Sequence, residues 1–306
     1  MRKTALNAVH ELARRDPRVV FLGSDLGPGT LDAMKAEMPE RFFMEGVAEA
    51  NLIGMAAGLA LEGFIPYVNT IATFLTRRCF DQLVIDACLH RAPIRLIANG
   101  GGFVYAPLGP THQAIEDLAI LRAVPNMTIV APADADEMTR LMPLTLDHPG
   151  PLYIRLGKGH DPIVSDPEVP FEIGRGLTLR RGDAALLMST GITLGRVLDA
   201  ADRLAERGLP CEVLHLPTVK PLDEDAVLEA ASRVKLAITV EEHSVIGGLG
   251  GAVAEVLAES GAPCRLRRVG IPDVFAERYG SQAQLLDHFG ITADAIAEAV
   301  LGAHGQ

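Results

Sequence analysis

The sequence predicts an α/β protein composed of two doubly wound domains. Strand-like apolar runs recur along the chain, and segments with helical periodicity separate them. Tryptophan is absent and aromatic residues make up only 5% of the chain, a composition that suits close packing of helices on a sheet. The 306 residues, 48% of them hydrophobic, suffice for one large domain or two ordinary ones, and we favour two.

The first half of the chain has the pattern of a parallel sheet. Its strand-like runs are Val19 to Gly23, Ile94 to Ala98, Met127 to Ala131 and Leu152 to Leu156. Apolar residues at helical spacing lie between them at Leu75, Cys79, Leu83, Val84, Ala87 and Cys88, and again at Ile115, Leu118 and Ala119. This alternation predicts helices that pack on a parallel sheet.

A linker interrupts the pattern after the fourth run. Residues 157–171 are polar and contain Pro162, Pro167 and Pro170, which can neither continue a helix nor serve a central strand. We therefore expect one domain over residues 1–160, a linker over 161–171 and a second domain over 172–306.

The second domain repeats the alternation. Its predicted strands lie near Ala184 to Ser189, Cys211 to Leu216, Leu236 to Val240 and Arg265 to Val269. The helix between the first two ends at Gly208, because glycine readily adopts the left-handed conformation that follows many helices.

The charge and hydropathy exclude several classes of partner. The net charge of -11 repels nucleic acid backbones and anionic lipid surfaces. No apolar run is long enough for a signal peptide or a membrane span, so we expect a cytoplasmic protein without nucleic acid or membrane partners.

The cysteines and histidines do not predict a metal site in this chain. Cys79, Cys88, Cys211 and Cys264 lack CxxC spacing, and we expect buried, reduced thiols. The nine histidines form no HExxH motif, so any metal is expected to come with a cofactor. His243, beside two glutamates, is interpreted as architectural.

Glu49 is the most informative single residue. It stands among apolar residues at the predicted start of a helix in which Gly54 and Gly58 permit close packing. Desolvation in such a setting favours a neutral carboxyl group that can donate a proton. Alternatively, Glu49 interacts only with the free N–H groups and the dipole of the first helical turn.

Four segments together resemble the transketolase family. Gly46-Val47-Ala48-Glu49 is similar to the pyrimidine-domain motif of transketolases and deoxyxylulose-phosphate synthases. Residues 73–82 (TFLTRRCFDQ) resemble the segment that stacks on the cofactor, and residues 109–113 (GPTHQ) resemble the substrate-histidine motif. Residues 240–250 (VEEHSVIGGLG) resemble the signature of the C-terminal domain.

The resemblance implies a pyrimidine-binding domain, a transketolase C-terminal domain and the cofactor thiamine diphosphate. In the family, the residue that matches Glu49 hydrogen-bonds the aminopyrimidine ring and promotes the tautomer that activates the cofactor. Phe74 is the residue expected to stack on that ring. Asp25 resembles a family residue close to the cofactor, although a simple loop turn is an open alternative.

The resemblance also implies substrate-binding residues. His112 is expected to contact the substrate, and a helix over Gln113 to Arg122 with Thr111 as its N-cap would favour a neutral, proton-shuttling imidazole. Arg77 and Arg155 offer donors for anionic substrate groups. Either arginine is alternatively an interdomain or intersubunit ion pair.

The chain lacks the Gly-Asp-Gly signature with which the family holds magnesium and the diphosphate group, and we expect no room for that domain before Met1. A partner subunit is therefore implied, in an α2β2 assembly with contacts between β subunits. Leu108 and Gly100 replace an acidic and a histidine residue of the family. Both changes favour an unusual ketose or aldose as substrate.

Three other functions remain open from the sequence. A β subunit of a 2-oxoacid dehydrogenase has the same architecture and the same activating glutamate. A deoxyxylulose-phosphate synthase is also similar, although both halves are normally fused there. The third is a non-catalytic regulatory subunit that keeps the fold.

Overall fold

The computed structural model describes residues 1–24, 29–157 and 161–304. The strands of the first part of the chain are β1 (Val19–Gly23), β2 (Phe42–Met44), β3 (Ile65–Ile71), β4 (Arg95–Asn99), β5 (Thr128–Val130) and β6 (Leu152–Leu156). Its α-helices are α1 (Arg2–Arg15), α2 (Asp32–Glu37), α3 (Glu49–Leu61), α4 (Phe80–Gln82), α5 (Asp117–Arg122) and α6 (Ala135–Leu144). Two π-helical segments, Phe74–Arg78 and Leu83–Leu89, flank α4.

Within the described residues, the second part of the chain contributes six further strands and five α-helices. The strands are β7 (Leu177–Arg180), β8 (Leu186–Ser189), β9 (Glu212–His215), β10 (Thr218–Lys220), β11 (Leu236–Ser244) and β12 (Arg265–Ile271). The helices are α7 (Leu194–Ala205), α8 (Glu224–Ala231), α9 (Leu249–Ser260), α10 (Gln282–His288) and α11 (Ala293–His304).

Two sheets organise the molecule. The first has the strand order β10-β5-β6-β4-β3-β1-β2, and the second has the order β12-β11-β8-β9-β7. All pairs are parallel except β10 with β5 and β7 with β9. The predicted α/β class is confirmed, and the antiparallel edge strands are an addition that the alternating pattern did not predict.

Helices cover both faces of each sheet, as a doubly wound fold requires. On the first sheet, α3, α5 and the π-helical segments pack on one face, and α1 and α6 pack on the other. On the second sheet, α7 and α11 cover one face, and α8 and α9 cover the other. The strands of both sheets are therefore mostly buried from two sides.

All eight predicted strands are present with small shifts of their ends, and four strands were missed. β3 carries Pro66 and the polar residues Asn69 and Thr70, which interrupt the apolar run expected of a central strand. β2 and β10 have only three residues each. Such short strands give no readable period.

β10 joins the two parts of the chain. It follows β9 of the second sheet in sequence, yet its partner is β5 at the edge of the first sheet. Val219 of β10 is 1% exposed and belongs to the core of the first sheet. A strand from the second part thereby completes the first sheet.

Two details of the helices bear on the site. The predicted helix over Gln113 to Arg122 is too long, because α5 begins only at Asp117 and Gln113 has an extended backbone. Gly208 follows α7 with φ 76°, the left-handed conformation that was predicted.

The four cysteines are buried free thiols, as predicted. Within the described ranges, no helix is long and apolar enough to span a bilayer.

Candidate active site

The loop after β2 brings Glu49 to the edge of the first domain. Residues 44–48 are exposed, whereas Glu49, the first residue of α3, is only 2% exposed. The following residues Leu52 and Ile53 are fully buried and anchor the helix to the sheet. The carboxyl group therefore sits where an exposed loop enters the core.

Glu49 has a charged neighbour that the sequence did not suggest. Nη1 of Arg78 donates a hydrogen bond to Oε2 of Glu49 at 2.7 Å. The expected surroundings of the carboxyl group, apolar residues alone, are therefore incomplete. A buried carboxylate beside a guanidinium is compensated in charge.

Phe74, Arg78 and His112 form a continuous cluster with Glu49. The guanidinium carbon of Arg78 lies 4.3 Å from the centre of the Phe74 ring, a cation–π contact. The edge of the His112 imidazole meets Phe74, with ring centres 5.2 Å apart at an angle of 69°. Arg78 thus links Glu49 to Phe74, and Phe74 contacts His112, so three residues predicted from separate motifs lie in one cluster.

His112 ends the short 3₁₀ turn Pro110–His112. Its Nδ1 and Oγ1 of Thr111 are 2.9 Å apart. Because α5 starts five residues after this histidine rather than beside it, the predicted influence of a helix N-terminus on the imidazole does not apply. Phe74 and Thr111 supply its surroundings instead.

Arg77 fastens the segment that carries His112. It forms an ion pair with Glu116, and its guanidinium donates to the carbonyl oxygens of Pro110, Thr111 and Gln113 at 3.2, 3.4 and 2.8 Å. These contacts involve both terminal nitrogens. The ion pair with Glu116 lies within the first domain and is therefore neither the interdomain nor the intersubunit pair that was considered, and the substrate-binding role of Arg77 stays a prediction.

Arg155 is similarly engaged. Its guanidinium binds both carboxylate oxygens of Asp117, at 2.8 and 3.0 Å, and donates to the carbonyl oxygens of Ala114 and Glu242 at 2.9 and 3.0 Å. Glu242 lies on β11 of the second sheet, so this arginine ties the two domains together.

The space beside Arg155 is also too small for a substrate. The side chain is 7% exposed, and the cavity that it lines measures about 10 Å³, room for no more than one water molecule. The ion pair with Asp117 lies within the first domain, and the contact that reaches the second domain is the hydrogen bond to the backbone oxygen of Glu242.

Asp117 is held ionised by this contact. Burial alone would raise the pKa of its carboxyl group, but the charge and hydrogen bonds of Arg155 and a hydrogen bond from Tyr153 keep that pKa below its usual value.

Asp25, the remaining predicted cofactor residue, lies outside the described residues.

Tyr105 fills the space next to Gly100. A Cβ atom at Gly100 would lie 2.2 Å from Cε2 of Tyr105, and Gly100 has φ 83°. A histidine at this position would require the Tyr105 side chain to move and would be strained by the left-handed backbone. Leu108 is 52% exposed and presents an apolar surface beside the His112 turn.

Gln113, the last residue of the motif at residues 109–113, has unusual surroundings. Gln113 is 1% exposed, and neither atom of its side-chain amide has a hydrogen-bond partner among the described residues. Unpaired buried amides are rare because they lose hydration without compensation. No residue pattern distinguishes this glutamine from an ordinary turn residue.

His243 has the structural role that was expected. Its Nδ1 lies 2.7 Å from the carbonyl oxygen of Ser244, and its Nε2 accepts a hydrogen bond from the backbone N–H of Ala119 at 3.3 Å. Among the described residues, no group of three or more histidine, cysteine or carboxylate residues is arranged to hold a metal ion.

Two family models match separate parts of the chain. The profile described as "Transketolase, pyrimidine binding domain" matches residues 1–162. The profile described as "Transketolase, C-terminal domain" matches residues 174–296.

Two relatives illustrate the range of similarity. The chain is 38% identical to the 6-deoxy-6-sulfo-D-fructose transketolase subunit of a Clostridium species over 98% of this chain and 92% of that protein. It is 40% identical to 1-deoxy-D-xylulose-5-phosphate synthase 1 of Geobacter sulfurreducens over 96% of this chain but only 47% of that protein.

A solved structure is similar over its whole length. It is described as a split-gene transketolase in an inactive β4 tetramer. The TM-score is 0.89 with 38% sequence identity, and the alignment covers 99% of this chain and 97% of that chain.

Proposed function

Because the chain belongs to the transketolase family, we propose that it is the C-terminal (β) subunit of a split transketolase that transfers a two-carbon ketol unit from a ketose to an aldose. The cluster in which Arg78 binds buried Glu49 and lies over Phe74, which in turn meets His112, carries this proposal. The relatives of matching length support the assignment to a subunit, since one is named a transketolase subunit and another the product of a split gene.

The site fits the aminopyrimidine of thiamine diphosphate. The planar guanidinium of Arg78 donates to Glu49 while it lies over Phe74. An aminopyrimidine is also planar and also donates hydrogen bonds, so the same two groups can receive it once Arg78 moves aside. Thiamine diphosphate, when bound, supplies the electron sink for breaking and forming a carbon–carbon bond next to a carbonyl.

The residues of this chain then have distinct roles. Glu49 shares a proton with a ring nitrogen of the aminopyrimidine, because its carboxyl group is shielded from water. Phe74 provides an apolar contact surface for the ring. His112, in contact with Phe74, holds or moves a proton at a substrate oxygen.

The remaining part of the cofactor site lies on the partner. The sequence contains no Gly-Asp-Gly segment, so we assign the diphosphate group and its Mg²⁺ to the N-terminal transketolase subunit. An α2β2 heterotetramer with contacts between β subunits would complete two such sites.

The substrates proposed are sugars outside the usual pentose phosphates. Tyr105 occupies the space above Gly100, and Leu108 offers no charge next to the His112 turn. A donor or acceptor with fewer charged contacts fits this end of the site. This chemistry belongs to carbohydrate metabolism.

Reconstitution tests the assignment directly. The chain alone is expected to be inactive, because the diphosphate group has no site on it. Addition of a partner that carries the Gly-Asp-Gly signature, with Mg²⁺ and thiamine diphosphate, should produce ketol transfer between a ketose and an aldose. Robust transfer by the isolated chain would contradict the proposal.

Glu49→Gln tests the proton-sharing role. The amide keeps the size of the side chain but cannot exchange the proton, so turnover of the complex should fall by at least about a hundredfold. Complex assembly, measured by sedimentation, should remain normal. Glu259→Gln on the exposed surface of α9 is the control, and near-normal turnover of Glu49→Gln would remove Glu49 from the mechanism.

A 2-oxoacid dehydrogenase β subunit is the rival enzyme. It uses the same cofactor but transfers an acyl group from a 2-oxoacid to a lipoyl carrier, so the donor that is consumed distinguishes the two functions. The reconstituted complex should turn over a ketose donor and leave a 2-oxoacid unchanged, as measured by product chromatography.

A further inference from the structure

The segment between β4 and α5 carries His112 and contacts the second domain along its length. We call residues 101–116 the histidine loop. Backbone hydrogen bonds join Gly102 and Ala114 in both directions, at 2.9 and 3.1 Å, and close the loop. The N–H of Ser244 on β11 donates to the carbonyl oxygen of Ile115 at 2.8 Å. The second domain therefore holds the end of the loop by a backbone hydrogen bond from β11.

Glu242 makes the deepest of these contacts. Its Oε1 accepts a hydrogen bond from the backbone N–H of Phe103 at 2.8 Å. The side-chain amide of Gln282, on α10, donates to both carboxylate oxygens at 2.9 and 3.0 Å. Glu242 is 3% exposed, so solvent cannot replace these partners.

The histidine loop is shaped to receive this carboxyl group. Gly102 has φ 60°, and a Cβ atom there would lie 2.3 Å from Cδ of Glu242. Only glycine satisfies both the left-handed backbone and the close approach. The loop and Glu242 are thus complementary in shape and in hydrogen bonding.

Two charged groups face Glu242 from the first domain. Arg155 on β6 donates to the backbone oxygen of Glu242 and attracts its carboxylate, whereas Asp117 on α5 repels it. Arg155 also holds Ala114 and Asp117 at the end of the loop. Glu242 and Arg155 therefore bind the loop at both ends, at Phe103 and at Ala114.

We propose that Glu242 of the second domain is a positioning residue that holds the histidine loop, and with it His112, in the arrangement required for substrate turnover. The inference rests on the proposed function for its kinetic consequence. Its structural consequence can be measured without any activity.

Amide hydrogen exchange of the isolated chain tests the structural part. Glu242→Ala leaves the N–H of Phe103 and the amide of Gln282 unpaired, so exchange in peptides covering residues 101–116 should become at least about tenfold faster. Glu212→Ala is the matched control, because Glu212 is a fully buried acid of β9 that pairs with Arg181 and Arg233. It should leave the histidine loop unchanged.

Steady-state kinetics of the reconstituted complex test the functional part. Glu242→Ala should lower kcat/KM for the ketose donor by at least about tenfold, since small displacements of a substrate-positioning group are costly, while the affinity for thiamine diphosphate stays within about threefold. Glu242→Gln, which keeps the acceptor for Phe103, should restore most of the lost activity.

Each outcome decides the matter. Unchanged exchange in residues 101–116, or faster exchange spread equally over both domains, would overturn the positioning role. If Glu242→Ala does not fold, Gln282→Ala replaces it, and the same localised increase is expected. If the wild-type complex shows no ketol transfer, only the proposed function is refuted. The exchange experiment still tests whether Glu242 positions the histidine loop, because it needs no activity.

Discussion

At the residue scale, neighbours distant in sequence determine what each acidic side chain can do. Glu49 and Glu242 are both buried carboxyl groups. Glu49 faces the guanidinium of Arg78, whereas the carboxyl oxygens of Glu242 accept hydrogen bonds from two uncharged groups, the backbone N–H of Phe103 and the side-chain amide of Gln282. Burial raises the pKa of Glu242 to about 7, although Arg155 opposes the rise. Its protonation state therefore changes near neutral pH.

The raised pKa of Glu242 predicts a pH dependence of stability. The folded state holds the proton more tightly than the unfolded state, so the contribution of this group is complete below pH 4.5 and is lost as the pH rises to about 7. Glu242→Gln removes this loss. Between pH 5 and pH 8 the free energy of unfolding of the wild type should fall, relative to the variant, by on the order of 3 kcal/mol.

Urea denaturation at the two pH values measures this difference. Glu259→Gln, on the exposed surface of α9, should follow the wild type at both. An equal pH dependence for the wild type and Glu242→Gln would mean that Glu242 does not titrate in this range.

At the element scale, the π-helical segment Phe74–Arg78 organises the site. π-helical turns are often found at functional positions. In this one, Arg78 reaches Glu49 and lies over Phe74, and Arg77 binds the histidine loop. One short element thus contacts both Glu49 and the histidine loop, which we propose to serve the cofactor and the substrate.

Arg77→Ala tests whether this arginine holds the loop or binds substrate. Loss of the bonds to Pro110, Thr111 and Gln113 should loosen the loop and lower kcat/KM by about tenfold for phosphorylated and non-phosphorylated ketoses alike. An arginine that bound a substrate anion would affect only the phosphorylated donor. Arg180→Ala on the exposed edge of β7 is the control for a lost positive charge.

At the scale of the whole molecule, β10 makes the two domains interdependent. It supplies the edge strand of the first sheet and places Val219 in the first core. Nζ of Lys220 also donates to the carbonyl oxygens of Arg122 and Val124. The first domain is therefore incomplete without residues 218–220.

Val219→Ala should destabilise the chain by about 2 kcal/mol, since it leaves a cavity in the first core. Because the strand belongs to both domains, scanning calorimetry should show one transition that moves to lower temperature. Val274→Ala, at a side chain that is 51% exposed, should have little effect. Two separate transitions, only one of them shifted, would show that the domains unfold independently.

The sequence alone determined the class of the fold and predicted the principal site residues. Apolar runs separated by helical stripes require a sheet with helices on both faces, because each stripe must be buried. Glu49, Phe74 and His112 were found because each belongs to a short motif with its own chemistry, and motifs are read along the chain.

The tertiary structure alone decided which side chains meet. Arg78 reaches Glu49 across 29 positions and Glu242 reaches Phe103 across 139, and no periodicity within an element encodes such contacts. In the tertiary structure, Arg77 pairs with Glu116 and Arg155 pairs with Asp117, and β10 lies in the first sheet beside β5. Charge pairing and edge-strand pairing depend on distances in space, which a linear pattern does not contain.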